Sequence, residues 1–304
     1  MPDTGIIIVT YNSAGHIGSC LDAALATGAE IVVVDNASSD GTLEEVTRRP
    51  VQLIANSENR GFAAGLNQGF AVLNSRYVLL LNPDAIIQGG LEALREACDL
   101  PGSAGAAGLL VGADGRPQTG FMVRALPTPA ALILEALVLN RIWPGNPVNR
   151  RYRCLHRDYS GLSEVEQPAG AFLMVRRAVW EELGGMDERY FPLWFEDVDF
   201  CRRIRNRGFR LYYVPQAVAI HTGAHSIRQM GVEKRAVYWY RSLLRYSCKH
   251  FRPAAFRAVC LSVVTGSVFR GIAESVWQRN FRPFAAYAKV VWLAGRGLVR
   301  SSLD

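Results

Sequence analysis

Three groups of residues carry side chains from which chemistry could be built. Asn82-Pro83-Asp84 follows the apolar run Tyr77-Val78-Leu79-Leu80-Leu81 and sets one carboxylate just past a buried strand, with proline ending the strand and fixing the turn. A hard divalent cation suits such an oxygen ligand, because Mg²⁺ typically takes one or two carboxylates and completes its shell with water and substrate phosphates. The same tripeptide is also an ordinary Asx-type turn. Phe195-Glu196-Asp197-Val198-Asp199-Phe200 opens a helix with three acids, and Arg202, Arg203, Arg205 and Arg207 close it. That arrangement complements the helix macrodipole at roughly 0.3–1 kcal/mol per charge, so Asp199 and even Glu196 need no further role. Trp194 and Phe195 nevertheless form a partly apolar mouth, where a carboxylate within about 3 Å of a substrate hydroxyl would act as a general base. His221 ends a strand in Ile220-His221-Thr222-Gly223 and His225 follows four residues on. Either imidazole could be structural, or could join Asp84 around a cation if the loop folds over it. Gly170, between Pro168 and Phe172, serves turn geometry or lets backbone approach a ligand closely.

Several chemistries are excluded. No G-x-G-x-x-G follows the first strand and no G-x-x-x-x-G-K-[ST] occurs, which removes the usual dinucleotide and P-loop signatures. No G-x-S-x-G elbow is present for an α/β-hydrolase. The elements that must position the remaining carboxylates and histidines are strand-like runs at 6–10, 31–35, 51–55 and 77–82, separated by helical segments near 14–27, 40–48, 63–74 and 89–98. This alternation predicts an α/β fold with a mostly parallel sheet, whose ligands bind at the edge where strand C-termini gather. Thr10-Tyr11-Asn12, Asp35-Asn36, Asn56 to Gly61 and Asn82-Pro83-Asp84 all fall there. Residues 112–165, with five prolines and the cluster Arg150, Arg151 and Arg153, read as an excursion or mobile loop. Regularity resumes with a strand at 171–175, helices at about 177–183 and 196–207, and strands near 210–214 and 218–221.

The chain has 304 residues, 49% hydrophobic and 20% charged, which excludes disorder and a small disulfide scaffold. Its six cysteines include no C-x-x-C pair, so a local zinc cluster or redox pair is excluded and a reducing compartment fits. Met1-Pro2-Asp3-Thr4 leads directly into Gly5-Ile6-Ile7-Ile8-Val9 without a basic n-region, so a cytoplasmic location is expected. The net charge of +7 is uneven: residues 1–226 carry 20 Lys and Arg against 24 Asp and Glu, whereas 227–304 carry 14 against 3. Domains are therefore expected at 1–226 and 227–304. The basic, aromatic tail could suit nucleic acid, but Trp, Tyr, Lys and Arg suit a membrane interface equally. Its longest uncharged stretch, 258–269, is 12 residues, against about 20 to span a bilayer, so the tail is expected to lie on a membrane rather than cross it.

Taken together, the motifs resemble inverting glycosyltransferases of family 2, which have the GT-A (Rossmann-like) fold, and in particular the bacterial rhamnosyltransferase branch. The resemblance covers about residues 5–226 and rests on five ordered blocks: Ile8-Val9-Thr10-Tyr11-Asn12, Val33 to Thr42, Asn59 to Asn67, Asn82-Pro83-Asp84 and Phe195 to Phe200. It implies that Thr10 and Asp35 hold the pyrimidine and ribose of a nucleotide sugar. Tyr11, Asn12, Asn36, Asn59, Arg60, Gly61, Asn67, Asn82 and Gly170 would line the donor side. Asp84 corresponds to the last acid of the family's D-x-D metal motif, with Asn82 standing where the first Asp would be, so Mg²⁺ or Mn²⁺ would bind more weakly or only with the diphosphate. His221 is similar to a histidine that completes the metal site in some relatives. Asp197 matches the catalytic base, and Glu196 would touch donor or acceptor hydroxyls. The implied partners are dTDP-rhamnose or a UDP-sugar, a lipid-linked glycan acceptor and an anionic membrane surface, with no nucleic acid. The implied setting is peripheral, on the inner face of the plasma membrane, and a homodimer through the tail is the other use of 227–304.

Overall fold

The computed structural model describes residues 3–223 and 230–299. They form two compact units, one of residues 3–126, 154–192 and 196–223, the other of 127–153, 193–195 and 230–299.

In the first unit the apolar runs become β1 (Thr4–Thr10), β2 (Glu30–Asp35), β3 (Gln52–Ala55) and β4 (Tyr77–Leu81), joined through α1 (Ala14–Leu25), α2 (Thr42–Thr47) and α3 (Phe62–Val72). β1 is buried at every residue, as expected of a parallel strand covered on both faces. It pairs in parallel with β2 and β4, and its register sets Thr10 beside Asp35. The chain continues through β5 (Ala85–Gly89), α4 (Leu91–Cys98), β6 (Ser103–Val111) and β7 (Val123–Arg124). Residues 127–153 then give α5 (Pro129–Ala136), α6 (Leu139–Ile142) and α7 (Pro147–Tyr152) to the second unit. The first unit resumes with β8 (Ser163–Val165), β9 (Gln167–Pro168), β10 (Phe172–Arg176), α8 (Arg177–Leu183), α9 (Glu196–Asn206) and β11 (Arg210–His221).

The main sheet of the described residues has nine strands in the order β3-β2-β1-β4-β10-β6-β11-β5, with β8 paired to β11. β10 runs antiparallel between β4 and β6, and β6 and β11 are parallel.

Three features differ from the sequence reading. β6, Ser-Ala-Gly-Ala-Ala-Gly-Leu-Leu-Val, is too small in its side chains to register as a strand, and the smallness is steric: a Cβ on Gly105 would collide with the Met174 carbonyl, and one on Gly108 with the Ala217 carbonyl and the Phe172 ring. The two strands expected at 210–214 and 218–221 are one, β11, broken in register between Val214 and Val218. The segment 112–165 is not a loop excursion but carries three helices and parts of both sheets. Thr128 and Asn146 cap α5 and α7 through their side-chain oxygens, with proline at the start of each helix.

The second unit adds α10 (Val232–His250), α11 (Pro253–Gln278) and α12 (Arg282–Val299), packed around Tyr240, Leu243, Val259, Val263, Tyr287 and Val290. Gly266 of α11 lies so close to the Ala136 carbonyl of α5 that a Cβ would not fit. α11 also corrects the tail's apolar length. Its 26 residues include an 18-residue window of mean hydropathy 1.4 with at most two charges, long and apolar enough to cross a membrane by length and composition, with 44% of that window buried. The uncharged stretch ends at Arg270, but the helix continues through it, because Arg270 packs on the Tyr287 ring and bonds the Tyr240 hydroxyl and Glu274.

Candidate active site

At the C-terminal end of β1 and β2 the polar groups satisfy one another. Thr10 Oγ1 donates to Asp35 Oδ1 (2.8 Å), and Ser38 donates its hydroxyl to Oδ1 (2.6 Å) and its N–H to Oδ2 (2.9 Å). Thr10 and Asp35 are fully buried. Asn12, at φ 50°, receives the Ser39 N–H on Oδ1 (2.8 Å) and donates its own N–H to Ser38 Oγ (2.8 Å). Asn36 clasps the next loop: its Nδ2 donates to the Gly61 carbonyl (3.1 Å), and its Oδ1 accepts from Asn56 (3.0 Å) and the Arg60 N–H (3.3 Å). Asn59 closes a turn onto the Gly61 N–H (2.9 Å). Gly61 has φ 88° and packs against Phe191 and Pro192, which leaves no strain-free place for a side chain. Asn67 lies elsewhere, its amide bonded to Met186 N–H and carbonyl and to Glu188. Tyr11 is half-buried and Arg60 exposed.

Asp84 and His221 meet because β5 pairs with β11, placing His221 opposite Ala85. Asp84 Oδ1 lies 3.4 Å from His221 Nε2, and both side chains are buried. Burial pushes the Asp84 carboxyl upward, but when His221 is protonated its hydrogen bond and charge outweigh that and hold the carboxyl below its usual range. Asn82 Nδ2 is also 3.4 Å from His221 Nε2. Among the described residues no cluster of three His, Cys, Asp or Glu side chains surrounds this point. One carboxylate oxygen and one imidazole nitrogen nevertheless fit a divalent ion whose remaining positions are filled by diphosphate oxygens and water. His225, the rival ligand, lies outside the described residues.

Asp197, the second residue of α9, stands on a neighbouring part of the same edge. Its Oδ2 accepts from the Gly170 N–H (3.3 Å) and Gln167 Nε2 (3.4 Å), and its Oδ1 accepts from the Val198 N–H (2.8 Å). Desolvation raises its pKa, opposed by the Gly170 and Val198 N–H groups and the charge of Arg124. Glu196 is buried, its Oε2 has no hydrogen-bond partner among the described residues, and burial together with the Asp197 charge pushes its carboxyl well above the ordinary value. Asp199 is consumed structurally, accepting from Arg203 Nε (2.8 Å) and the Tyr190 hydroxyl (3.3 Å). Backbone continuity ties the two chemical sites together: Asn82 N–H donates to the Ala171 carbonyl (3.0 Å), one residue from Gly170.

Three residues at the site were not singled out by the sequence. Gln118 holds His221 by two hydrogen bonds, Phe121 lies parallel to its ring at 5.2 Å, and Arg124 acts on Asp197. Their spacing, Gln-x-x-Phe-x-x-Arg, was visible inside the presumed excursion, but nothing local marks it as part of a site.

The fold and this edge define a GT-A glycosyltransferase. A mannosyltransferase from Pyrobaculum calidifontis, solved with GDP-Man and Mn²⁺, matches with a TM-score of 0.53 over 98% of this chain and 87% of its own, at 17% identity. Residues 5–183 match the model of glycosyl transferase family 2, and the chain belongs to that family. Among relatives, an N-acetylglucosaminyl-diphospho-decaprenol L-rhamnosyltransferase of Mycobacterium tuberculosis is 29% identical over 284 residues, 80% of this chain and 88% of the relative. Rhamnosyltransferase WbbL of Escherichia coli is 37% identical over 83 residues, 27% of this chain and 30% of the relative.

Proposed function

We propose that the enzyme transfers L-rhamnose from dTDP-rhamnose, with inversion, to a hydroxyl of a lipid-linked or polysaccharide acceptor in cell-envelope glycan synthesis. The observation that carries this reading is the adjacency of Asp84 and His221 to Asp197 through the Asn82–Ala171 and Gly170–Asp197 bonds. An inverting transfer needs charge neutralisation on one side of the anomeric carbon and a base on the other. Asp84 and His221 Nε2 would hold the ion, and Mg²⁺ or Mn²⁺ bound there would neutralise the leaving diphosphate. The imidazole favours Mn²⁺, since Mg²⁺ takes oxygen ligands almost exclusively.

Asp197 takes the proton of the acceptor hydroxyl as the acceptor oxygen forms its bond to the anomeric carbon. The bond from that carbon to the diphosphate oxygen breaks on the opposite face, inverting the centre without a covalent enzyme intermediate. A raised carboxyl pKa makes Asp197 a stronger base than an exposed aspartate, while the Gly170 and Val198 N–H groups orient it. Glu196, held as the neutral acid by burial, donates through its unpartnered end to a sugar hydroxyl. Thr10 and Asp35 would form the pyrimidine and ribose pocket, and the pyrimidine edge that Asp35 would recognise is shared by thymine and uracil. Tyr11, Asn12, Asn36, Asn59, Arg60 and Gly61 shape the donor loop, and Asn67 braces α3 behind it.

The relative from Mycobacterium tuberculosis is named for a decaprenol-linked substrate, and this chain's second unit suits a similar setting. Trp277 and Phe281 are 83% and 85% exposed, beside Arg279 and Arg282, a combination that settles at an anionic lipid interface. Residues 1–226 would thus carry donor and chemistry, and 227–304 would hold the enzyme on the cytoplasmic face. Replacing Trp277 and Phe281 by Ser should release the protein from anionic liposomes; undiminished binding removes this surface. Substitution is the better probe than deletion of 227–304, which would strip α5 of its packing against Gly266.

The function itself is tested by incubating the enzyme with dTDP-rhamnose or UDP-sugars, Mn²⁺ and a polyprenyl-diphosphate glycan, and reading the anomeric configuration of the product. Inverted rhamnoside supports the proposal. A uridine-sugar product keeps the mechanism and changes the donor, and a retained configuration rejects the mechanism.

A further inference from the structure

We propose that Gln118 is a positioning residue that fixes the tautomer of His221, keeping the hydrogen on Nδ1 and the lone pair on Nε2, where a divalent cation would be bound. The inference rests on the metal reading above and adds a residue that neither the motifs nor the relatives assign. Gln118 Nε2 donates to the His221 main-chain carbonyl at 2.6 Å. That bond sets the orientation of the amide, because only its nitrogen end can donate to a carbonyl. Gln118 Oε1 therefore faces His221 Nδ1, at 2.9 Å. An amide oxygen can only accept, so Nδ1 must carry the hydrogen, and in the neutral imidazole Nε2 is then the bare nitrogen. Nε2 is the atom that faces Asp84 Oδ1 and Asn82 Nδ2, both at 3.4 Å.

The clamp is anchored on both sides. Gln118 N–H donates to the Leu110 carbonyl at the end of β6 (2.9 Å), and the Phe121 ring lies 11° from parallel to the imidazole at 5.2 Å, which opposes rotation of the ring. His221 itself ends β11, the strand that pairs with β6. A metal-binding histidine whose second nitrogen is bonded in this way has its ring and tautomer set before the ion arrives, and losing such a partner typically weakens metal affinity by about 10–100-fold. Gln118 does not touch the ion; it acts through His221.

The test uses the full chain, Mn²⁺ and thymidine diphosphate, in wild type, Gln118→Leu and Gln118→Glu. Leu removes both bonds at similar volume, whereas Glu keeps an acceptor for Nδ1–H. Two readouts are needed: Mn²⁺ affinity by electron paramagnetic resonance, and the His221 tautomer by ¹⁵N chemical shifts of labelled histidine. Wild type should show Nδ1–H, Gln118→Leu a mixture of tautomers with about 10–100-fold weaker Mn²⁺ binding, and Gln118→Glu recovery of both. An unchanged tautomer and unchanged Mn²⁺ affinity in Gln118→Leu would overturn the proposal, as would a wild type in which Nε2 carries the hydrogen. A wild type with Nδ1–H that binds no Mn²⁺ would overturn the metal reading instead, and the tautomer of Gln118→Leu would still decide what Gln118 does.

Discussion

The two ends of the functional edge are built on opposite plans. Thr10, Asp35 and Asn36 each have side-chain partners in the protein, and the loops after β1, β2 and β3 are stitched into one surface. Around Asp84, His221 and Glu196, all buried, and the partly buried Asp197, the groups are incompletely matched: a 3.4 Å contact between carboxylate and imidazole, a carboxyl oxygen with no partner among the described residues, and two neighbouring acids with raised pKa values. Buried polar groups cost free energy when unmatched, so the second region stores what the first has spent on rigidity. The donor end is tied down within the protein, and the chemical end keeps polar groups only partly matched.

That contrast can be broken by substitution. The largest effect should come from Asp197→Asn, which keeps the side-chain shape but cannot take a proton: turnover should fall by about 10²–10⁴-fold while nucleotide affinity stays within a few-fold, and near-normal turnover would remove Asp197 as base. Asp84→Ala should abolish the Mn²⁺ enhancement of thymidine diphosphate binding in calorimetry, and a persisting enhancement would place the ion elsewhere. At the donor end Thr10→Val should instead act on stability, by about 1–2 kcal/mol in denaturant unfolding, because one buried bond to Asp35 is lost while Ser38 still serves both carboxylate oxygens.

The smallest effect carries the opposite sign. Glu196 has a folded-state pKa above its usual 4.5, so the folded protein binds this proton more tightly than the unfolded chain, and the benefit is lost as pH rises. Glu196→Gln should therefore match wild-type stability near and below pH 4.5 and exceed it increasingly toward neutral pH. Melting curves across that range that remain parallel would show that Glu196 is not held as the acid.

The same division governed what could be read from the sequence. β1, β2 and β4 were legible because buried parallel strands are continuous apolar runs, with Thr10, Asp35 and Asp84 at or just past their ends, whereas β3 is a short, partly exposed strand. β6 was illegible because close approach to β10 demanded Gly105 and Gly108, which erase the hydrophobic signal. The acids at 84 and 196–199 stood out by type, but their division of labour did not: Asp199 is tied to Arg203, and Asp197 receives the Gly170 N–H, both settled by packing. Gln118 could not be found at all, since its partner is 103 residues away and no local periodicity links them.

The account is tested most directly by titration calorimetry of wild type and Asp197→Asn with thymidine, uridine and guanosine diphosphates, each with and without Mg²⁺ or Mn²⁺. It predicts saturable, metal-enhanced binding of the thymidine nucleotide in preference to the others, identical in the two proteins. Binding that ignores the metal, or that is lost with Asp197, would contradict the separation of donor end from base on which the mechanism stands.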